Sequence, residues 1–89
     1  MEIWVFNGEG NRFPGGLFST REGAEAWIAQ HRLSGVLTLY PVDIGVYDWA
    51  LQNEWFNPSK VLSSRAIAGF TSAYQKHAHY EDGKRIGHI

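Results

Sequence analysis

Apolar side chains occupy both faces of the first segment of the chain. Within residues 2–7, Ile3 and Val5 fall on one side of an extended chain, and Trp4 and Phe6 fall on the other. β-Branched and aromatic residues favour strands. A strand that is apolar on both sides needs neighbours, so we expect this one at the centre of a sheet.

A turn and a second strand follow. Residues 8–11 contain two glycines and an asparagine, which tolerate the positive φ angles of a hairpin turn. The segment 13–18 then predicts a short returning strand. Pro14 and the Gly15-Gly16 pair make it an irregular edge strand, because proline lacks the donor that an interior strand needs.

A helix is predicted over residues 20–32. Ser19 and Glu22 fit a capping box, in which the hydroxyl and the carboxylate satisfy free backbone donors at the first turn. We expect Ser34-Gly35 to close the helix. Its apolar face follows helical spacing and consists of Ala24, Trp27, Ile28 and His31.

The second half of the chain adds a strand, two helical segments and a further strand. Residues 36–42 predict a third strand that is apolar on both faces and ends near Pro41. Asp43 is expected to cap a helix over residues 44–55. Ser63-Ser64 starts a short helical turn reaching residue 70, and the alternation over residues 74–81 favours a last strand.

These elements predict an α+β fold with a single domain over residues 1–89. The order is ββαβα with a closing strand, and the sheet is small and mixed, with three to four strands and the first one central. Two helices pack on it, and the crossover from the second strand to the third is expected to be right-handed. If the first helix covers one face only, the other face is where we look for function.

Composition narrows the functional classes. The chain has 89 residues, a formal net charge of −1 and no cysteine, which excludes disulfides, thiolate zinc sites and a cysteine nucleophile. The chain also lacks the excess of Lys and Arg over Asp and Glu that is typical of proteins that bind nucleic acids or anionic membranes. No stretch approaches the roughly 20 apolar residues of a membrane span, and the N-terminus does not resemble a secretory signal, so we expect a cytoplasmic location.

The chain has four Trp, four Tyr and five Phe, and part of this aromatic area clusters with acidic residues. Exposed aromatic side chains near carboxylates are typical of protein-binding hot spots. The alternative is that these rings close the second face of the sheet. The candidate partner-binding residues are Tyr47, Asp48, Glu54, Trp55 and Phe56.

Three residues near the end of the chain raise a metal hypothesis. On a strand, His77 and His79 point the same way and Glu81 follows them. A His-x-His pair needs at least one more ligand, and the alternative is a pair of surface histidines. No other arrangement indicates catalysis or a cofactor.

The order of short motifs over nearly the whole chain resembles a small bacterial domain family of unknown function. The motifs are Trp4-Val5-Phe6, Gly8-Glu9-Gly10, Phe13-Pro14 with Gly16, Phe18-Ser19-Thr20, Ala26-Trp27-Ile28, His31-Arg32-Leu33 with Gly35, Leu37-Thr38 with Tyr40-Pro41-Val42, Gly45-Val46-Tyr47-Asp48-Trp49-Ala50, Phe70-Thr71-Ser72, and His77 with His79-Tyr80-Glu81-Asp82-Gly83. This resemblance implies a compact α+β domain, stand-alone or appended to another, with no assigned catalytic residues.

The sequence therefore predicts a non-enzymatic protein-binding domain, such as an immunity-type inhibitor of a bacterial toxin. The alternative from a different class is a small metal-dependent hydrolytic enzyme using His77, His79 and Glu81. A third hypothesis is a homodimer formed through the outer face of the sheet.

Overall fold

The computed structural model describes residues 1–55 and 62–87, and in them five strands form one sheet accompanied by three helices. The strands run in the order β2-β1-β3-β4-β5, and every neighbouring pair is antiparallel. The elements, in chain order, are β1 (Glu2–Gly8), β2 (Pro14–Phe18), α1 (Arg21–Gln30), β3 (Gly35–Pro41), α2 (Val46–Gln52), α3 (Ser64–Ala68), β4 (His77–Glu81) and β5 (Lys84–Arg85).

The α+β class and the placement of β1 between β2 and β3 are confirmed, but the prediction of a mixed sheet is wrong. The connection through α1 crosses over β1, so β3 runs in the same direction as β2 and therefore antiparallel to β1. In the described part of the chain the sheet has five strands and not three to four, and β3 is its middle strand. The extra strand is β5, two residues long.

The core lies between α1 and one face of the sheet. Trp4 and Phe6 of β1 point to this face, and they are paired across the ladder with Leu39 and Leu37 of β3. Because side chains alternate along a strand, the neighbours of these residues point to the opposite face. The buried residues of the core are Trp4, Phe6, Ala24, Ile28, Leu37, Ala78 and Tyr80.

The ends of α1 differ from the prediction by one to two residues. Thr20, not Ser19, is the N-cap, and its hydroxyl accepts from the backbone N–H of Gly23 at 3.1 Å. The helix closes at its C-cap His31, before Ser34. Leu33 N–H donates to the Ile28 carbonyl and Arg32 N–H to the Ala29 carbonyl, a Schellman motif with Arg32 at a φ of 53°.

The expected Asp43 cap of α2 is wrong. Asp43 adopts a φ of 66°, in a bend before the helix, and Gly45 is the N-cap without a side-chain hydrogen bond. The helix is correspondingly shorter than the predicted 44–55 and lies against β3. The start of α3 is confirmed, because the Ser63 hydroxyl accepts from the N–H of Ala66 at 3.1 Å.

The last strand is confirmed, but it covers residues 77–81 instead of the predicted 74–81. β4 pairs with β3, and Asp82-Gly83, both at positive φ, form the two-residue turn that leads into β5. At the start of β3, a Cβ on Gly35 would lie 2.2 Å from the carbonyl oxygen of Asn7 and 2.8 Å from the Phe6 ring. Only glycine therefore permits β1 and β3 to pair at this position.

Candidate protein-binding surface and histidine pair

Three aromatic rings from two separate segments meet on the surface. The rings of Trp55 and Trp49 meet edge to face, with centroids 4.8 Å apart. Trp55 also stacks on Tyr74, with centroids 4.8 Å apart and planes 16° from parallel. Trp55 remains 39% exposed and Tyr74 60% exposed. We call Trp49, Trp55 and Tyr74 the aromatic surface.

The end of α2 places Trp55. Trp55 N–H donates to the carbonyl of Ala50 and Glu54 N–H to the carbonyl of Leu51, each at 3.0 Å, while Glu54 takes a φ of 58°. This is the same Schellman motif that closes α1. It turns the chain back on the helix, so that Trp55 lies next to Trp49 of α2.

A tight turn over residues 72–75 places Tyr74. The N–H of Tyr74 donates to the hydroxyl of Ser72, and the N–H of Gln75 donates to the Ser72 carbonyl, both at 3.1 Å. Gln75 is only 3% exposed. Its side-chain oxygen accepts from Ser72 N–H, and its Nε2 donates to the carbonyl of Leu39, which fixes the turn to β3.

The predicted partner-binding residues separate into two groups. Trp55 belongs to the aromatic surface, and the exposed carboxylates of Asp48 and Glu54 adjoin Trp49 and Trp55 in the chain. Tyr47 belongs to a different contact, because its ring packs edge-to-face on Phe70 with centroids 5.4 Å apart. Phe56 lies outside the described residues.

Two members of the aromatic surface, Trp49 and Tyr74, are not among the predicted partner-binding residues. The alternation over residues 74–81 predicts a strand that includes Tyr74, whereas the strand begins at His77. The signal that could have separated them is the Thr71-Ser72 pair, since a serine hydroxyl can accept from the backbone two residues later and favours a turn.

His77 and His79 lie side by side on the face of the sheet opposite α1. Their ring centroids are 5.5 Å apart and their planes are nearly perpendicular, at 85°. The Nδ1 of His77 lies 3.0 Å from the backbone carbonyl of Gln75. A carbonyl only accepts, so Nδ1 carries the proton and Nε2 keeps its lone pair when the ring is neutral.

Glu81 is the third residue of the metal hypothesis, and it follows on the same strand face. Within residues 1–55 and 62–87, no group of three or more His, Cys, Asp or Glu side chains is close enough to hold a metal ion. Glu81 is therefore not close enough to His77 and His79 to complete a metal site of three ligands.

The face that carries the histidines is grooved. Two adjoining cavities of about 540 Å³ and 370 Å³ lie along it, and Val36, Thr38 and Tyr40 of β3 line both. His79 borders the larger cavity and His77 the smaller one. The space above the two imidazoles is therefore open to ions and small molecules.

A further polar contact lies on the face of the sheet that α1 covers. The hydroxyl of Tyr80 donates to Glu25 Oε2 at 2.5 Å, and the guanidinium of Arg85 lies 3.9 Å from the same oxygen. Burial, followed by the hydrogen bond to Glu25 and the charge of that carboxylate, raises the pKa of Tyr80 well above its usual range. Tyr80 therefore remains a neutral donor and holds β4 to α1.

An antiparallel five-stranded sheet with one covering helix and an exposed aromatic surface defines a small α+β domain. The chain belongs to the family described as "Domain of unknown function (DUF7710)", whose model matches residues 3–86. No curated protein and no solved structure matches the chain significantly. In the described part of the chain, every helix is too short or too polar to cross a membrane.

Proposed function

We propose that this chain is a non-enzymatic protein-binding domain that acts as an immunity-type inhibitor, masking a bacterial toxin or a similar cytoplasmic partner. The observation that carries the proposal is the stack of Trp55 on Tyr74, which leaves 39% and 60% of these residues exposed. Exposed Trp and Tyr side chains are the residues that most often dominate the energy of protein interfaces.

The aromatic surface is suited to binding because its rings are already held in place. Hydrogen bonds of the α2 end hold the backbone at Trp55, and those of the 72–75 turn hold Tyr74. A partner that docks on them does not have to immobilise two free side chains, each of which costs about 0.5–1.5 kcal/mol. Preorganised aromatic anchors therefore favour tight binding in a domain of this size.

The charges beside the rings indicate the chemistry of the partner. Asp48 and Glu54 are exposed and adjoin Trp49 and Trp55 in the chain. A partner surface with an apolar centre and a basic rim complements this arrangement. We expect the association rate to fall as salt rises, because rim charges mainly steer the encounter.

Affinity capture followed by reconstitution tests the proposal. The tagged chain is used to recover its partner from an extract of the source cell, and the purified partner is then titrated against Tyr74→Ala, Trp55→Ala and a control. Phe13→Ala is the matched control, because Phe13 is an aromatic residue that is 74% exposed and not part of the aromatic surface.

We expect Tyr74→Ala and Trp55→Ala to weaken binding at least about tenfold, as hot-spot truncations do, and Phe13→Ala to leave it unchanged. If the chain acts as an inhibitor, we also expect its co-expression to relieve the growth inhibition that the partner causes. Recovery of the chain alone, or equal binding by all three variants, contradicts the proposal. Circular dichroism confirms that each variant is folded.

The alternative of a metal-dependent hydrolase remains a prediction and is not part of the proposed function. Catalytic zinc sites use three protein ligands and an open position, and the described residues hold His77 and His79 without a third. The homodimer hypothesis is likewise kept apart, and light scattering of the purified chain tests it directly.

A further inference from the structure

We propose that His77 and His79 form a two-histidine binding site for a divalent transition-metal ion, with water or a second copy of the chain completing the coordination. The site is separate from the aromatic surface and does not depend on the proposed function. Imidazole nitrogen is a preferred ligand of Zn²⁺, Cu²⁺ and Ni²⁺, which defines the class of ion.

The strand geometry brings the two imidazoles to a spacing that one ion can bridge. His77 and His79 are two residues apart on β4 and so share a face, and their ring centroids are 5.5 Å apart. Two imidazoles bound to one tetrahedral ion at about 2.0–2.1 Å per nitrogen have centroids roughly 5 Å apart. The observed centroid spacing is therefore close to the spacing that a shared ion requires.

The hydrogen bond of His77 prepares this ring as a ligand. Its Nδ1–H donates to the carbonyl of Gln75, which leaves the Nε2 lone pair for a metal. Metal-binding histidines commonly donate their other nitrogen to a carbonyl or carboxylate in this way. Gln75 is itself buried and bonded to Leu39, so the accepting carbonyl belongs to a fixed turn.

The neighbouring side chains leave room for an ion. Across the ladder, Thr38 is paired with His77 and Val36 with His79, and both side chains are short and uncharged. The adjoining cavities open above them. With two protein ligands rather than four, we expect an exchangeable site that binds in the micromolar range and not a permanently occupied structural one.

Calorimetric titration of the untagged full chain with Zn²⁺, and electron paramagnetic resonance with Cu²⁺, test the site. The variants are His77→Asn, whose amide can still donate to the Gln75 carbonyl, and His79→Ala. His31→Ala is the matched control, because His31 is exposed at the C-cap of α1 and contacts Trp27 instead. We expect at least a tenfold loss of affinity in the first two variants and none in the control.

Two further measurements distinguish a specific site from nonspecific metal binding by surface histidines. Nitrogen-15 NMR of the metal-free chain should find His77 with its proton on Nδ1, and Zn²⁺ should shift its Nε2 resonance. Sedimentation shows the source of the remaining ligands: dimerisation on adding Zn²⁺ means a second copy, and an unchanged monomer means water. Equal Zn²⁺ affinity in the wild type and both site variants overturns the proposal, as does binding that His31→Ala abolishes.

Discussion

The side-chain amide of Gln75 donates a hydrogen bond to the backbone carbonyl of Leu39 at 3.2 Å, across 36 positions of the chain. The oxygen of the same amide accepts from Ser72 N–H at 3.1 Å. One buried polar side chain thus joins the middle strand of the sheet to the turn that carries Tyr74 and leads into His77. Tyr74 of the aromatic surface and His77 of the histidine pair both lie within two residues of this connection.

Replacing Gln75 with methionine is expected to lower the free energy of unfolding by about 2–4 kcal/mol. Methionine has a similar length, but it leaves the Leu39 carbonyl and the Ser72 N–H without their partner, and an unpaired buried polar group costs about 1–3 kcal/mol. Urea denaturation measures the change. Gln30→Met, at an exposed position of α1, is the control, and equal effects of the two substitutions would contradict the role of Gln75.

Stability at alkaline pH should depend on Tyr80. The folded chain raises the pKa of Tyr80 above the 10.0 of an ordinary tyrosine, so the folded state keeps a proton that the unfolded state releases. The resulting stabilisation is complete below about pH 10 and is lost as the pH rises further. We expect unfolding free energies at about pH 8 and about pH 11 to differ more in the wild type than in Tyr80→Phe.

Tyr74→Phe serves as the control for that measurement, because it removes a tyrosine hydroxyl from an exposed position. At neutral pH, Tyr80→Phe should itself cost about 1 kcal/mol. That figure is below the usual value for a hydrogen bond to a carboxylate because the Glu25 side chain is one-third exposed.

Gly35→Ala is expected to be among the most damaging single substitutions in the chain. The added Cβ would lie 2.2 Å from the Asn7 carbonyl oxygen, and backbone on the paired strand cannot yield without breaking the ladder. We expect a loss of about 3 kcal/mol or more in urea denaturation. Gly10→Ala has open space around the new Cβ and a φ of 74°, so it should cost only about 1 kcal/mol.

Arg32→Gly should stabilise the chain by about 0.5–1 kcal/mol. Arg32 occupies the left-handed position of the Schellman motif that ends α1, where a Cβ is strained and glycine is not. Thermal unfolding should show a rise of a few degrees in Tm. Gln30→Gly, within the helix, is the control and is expected to lower the stability. If Arg32→Gly also lowers it, the contacts of the Arg32 side chain stabilise the chain more than its left-handed backbone destabilises it.

The elements that the sequence predicted well are those with local signals. The two-sided apolar pattern around Trp4 and Phe6 and the hydroxyl of Ser63 identified β1 and α3. The helix ends were harder because Ser19 and Thr20 are adjacent hydroxyls, and only the fold selects Thr20 as the cap. The left-handed position that ends α1 carries Arg32 and not glycine, so the sequence lacks the usual marker of a helix end.

The candidate site was only partly predictable for a related reason. The sequence pointed to Trp55, but its stacking on Tyr74 depends on a turn held by Gln75 against Leu39, a contact distant along the chain. The His77 and His79 pair follows directly from strand alternation, whereas the hydrogen bond that selects the proton position on His77 does not.

The two edges of the sheet also bear on how the protein behaves at high concentration. At one edge, Pro14 offers no backbone donor to an incoming strand and the ladder shifts register between Phe6 and Asn7. The other edge is the two-residue β5, in which Lys84 and Arg85 are both exposed. Such edges do not template edge-to-edge pairing, so we expect the chain to resist fibril-like growth despite the apolar residues on its surface.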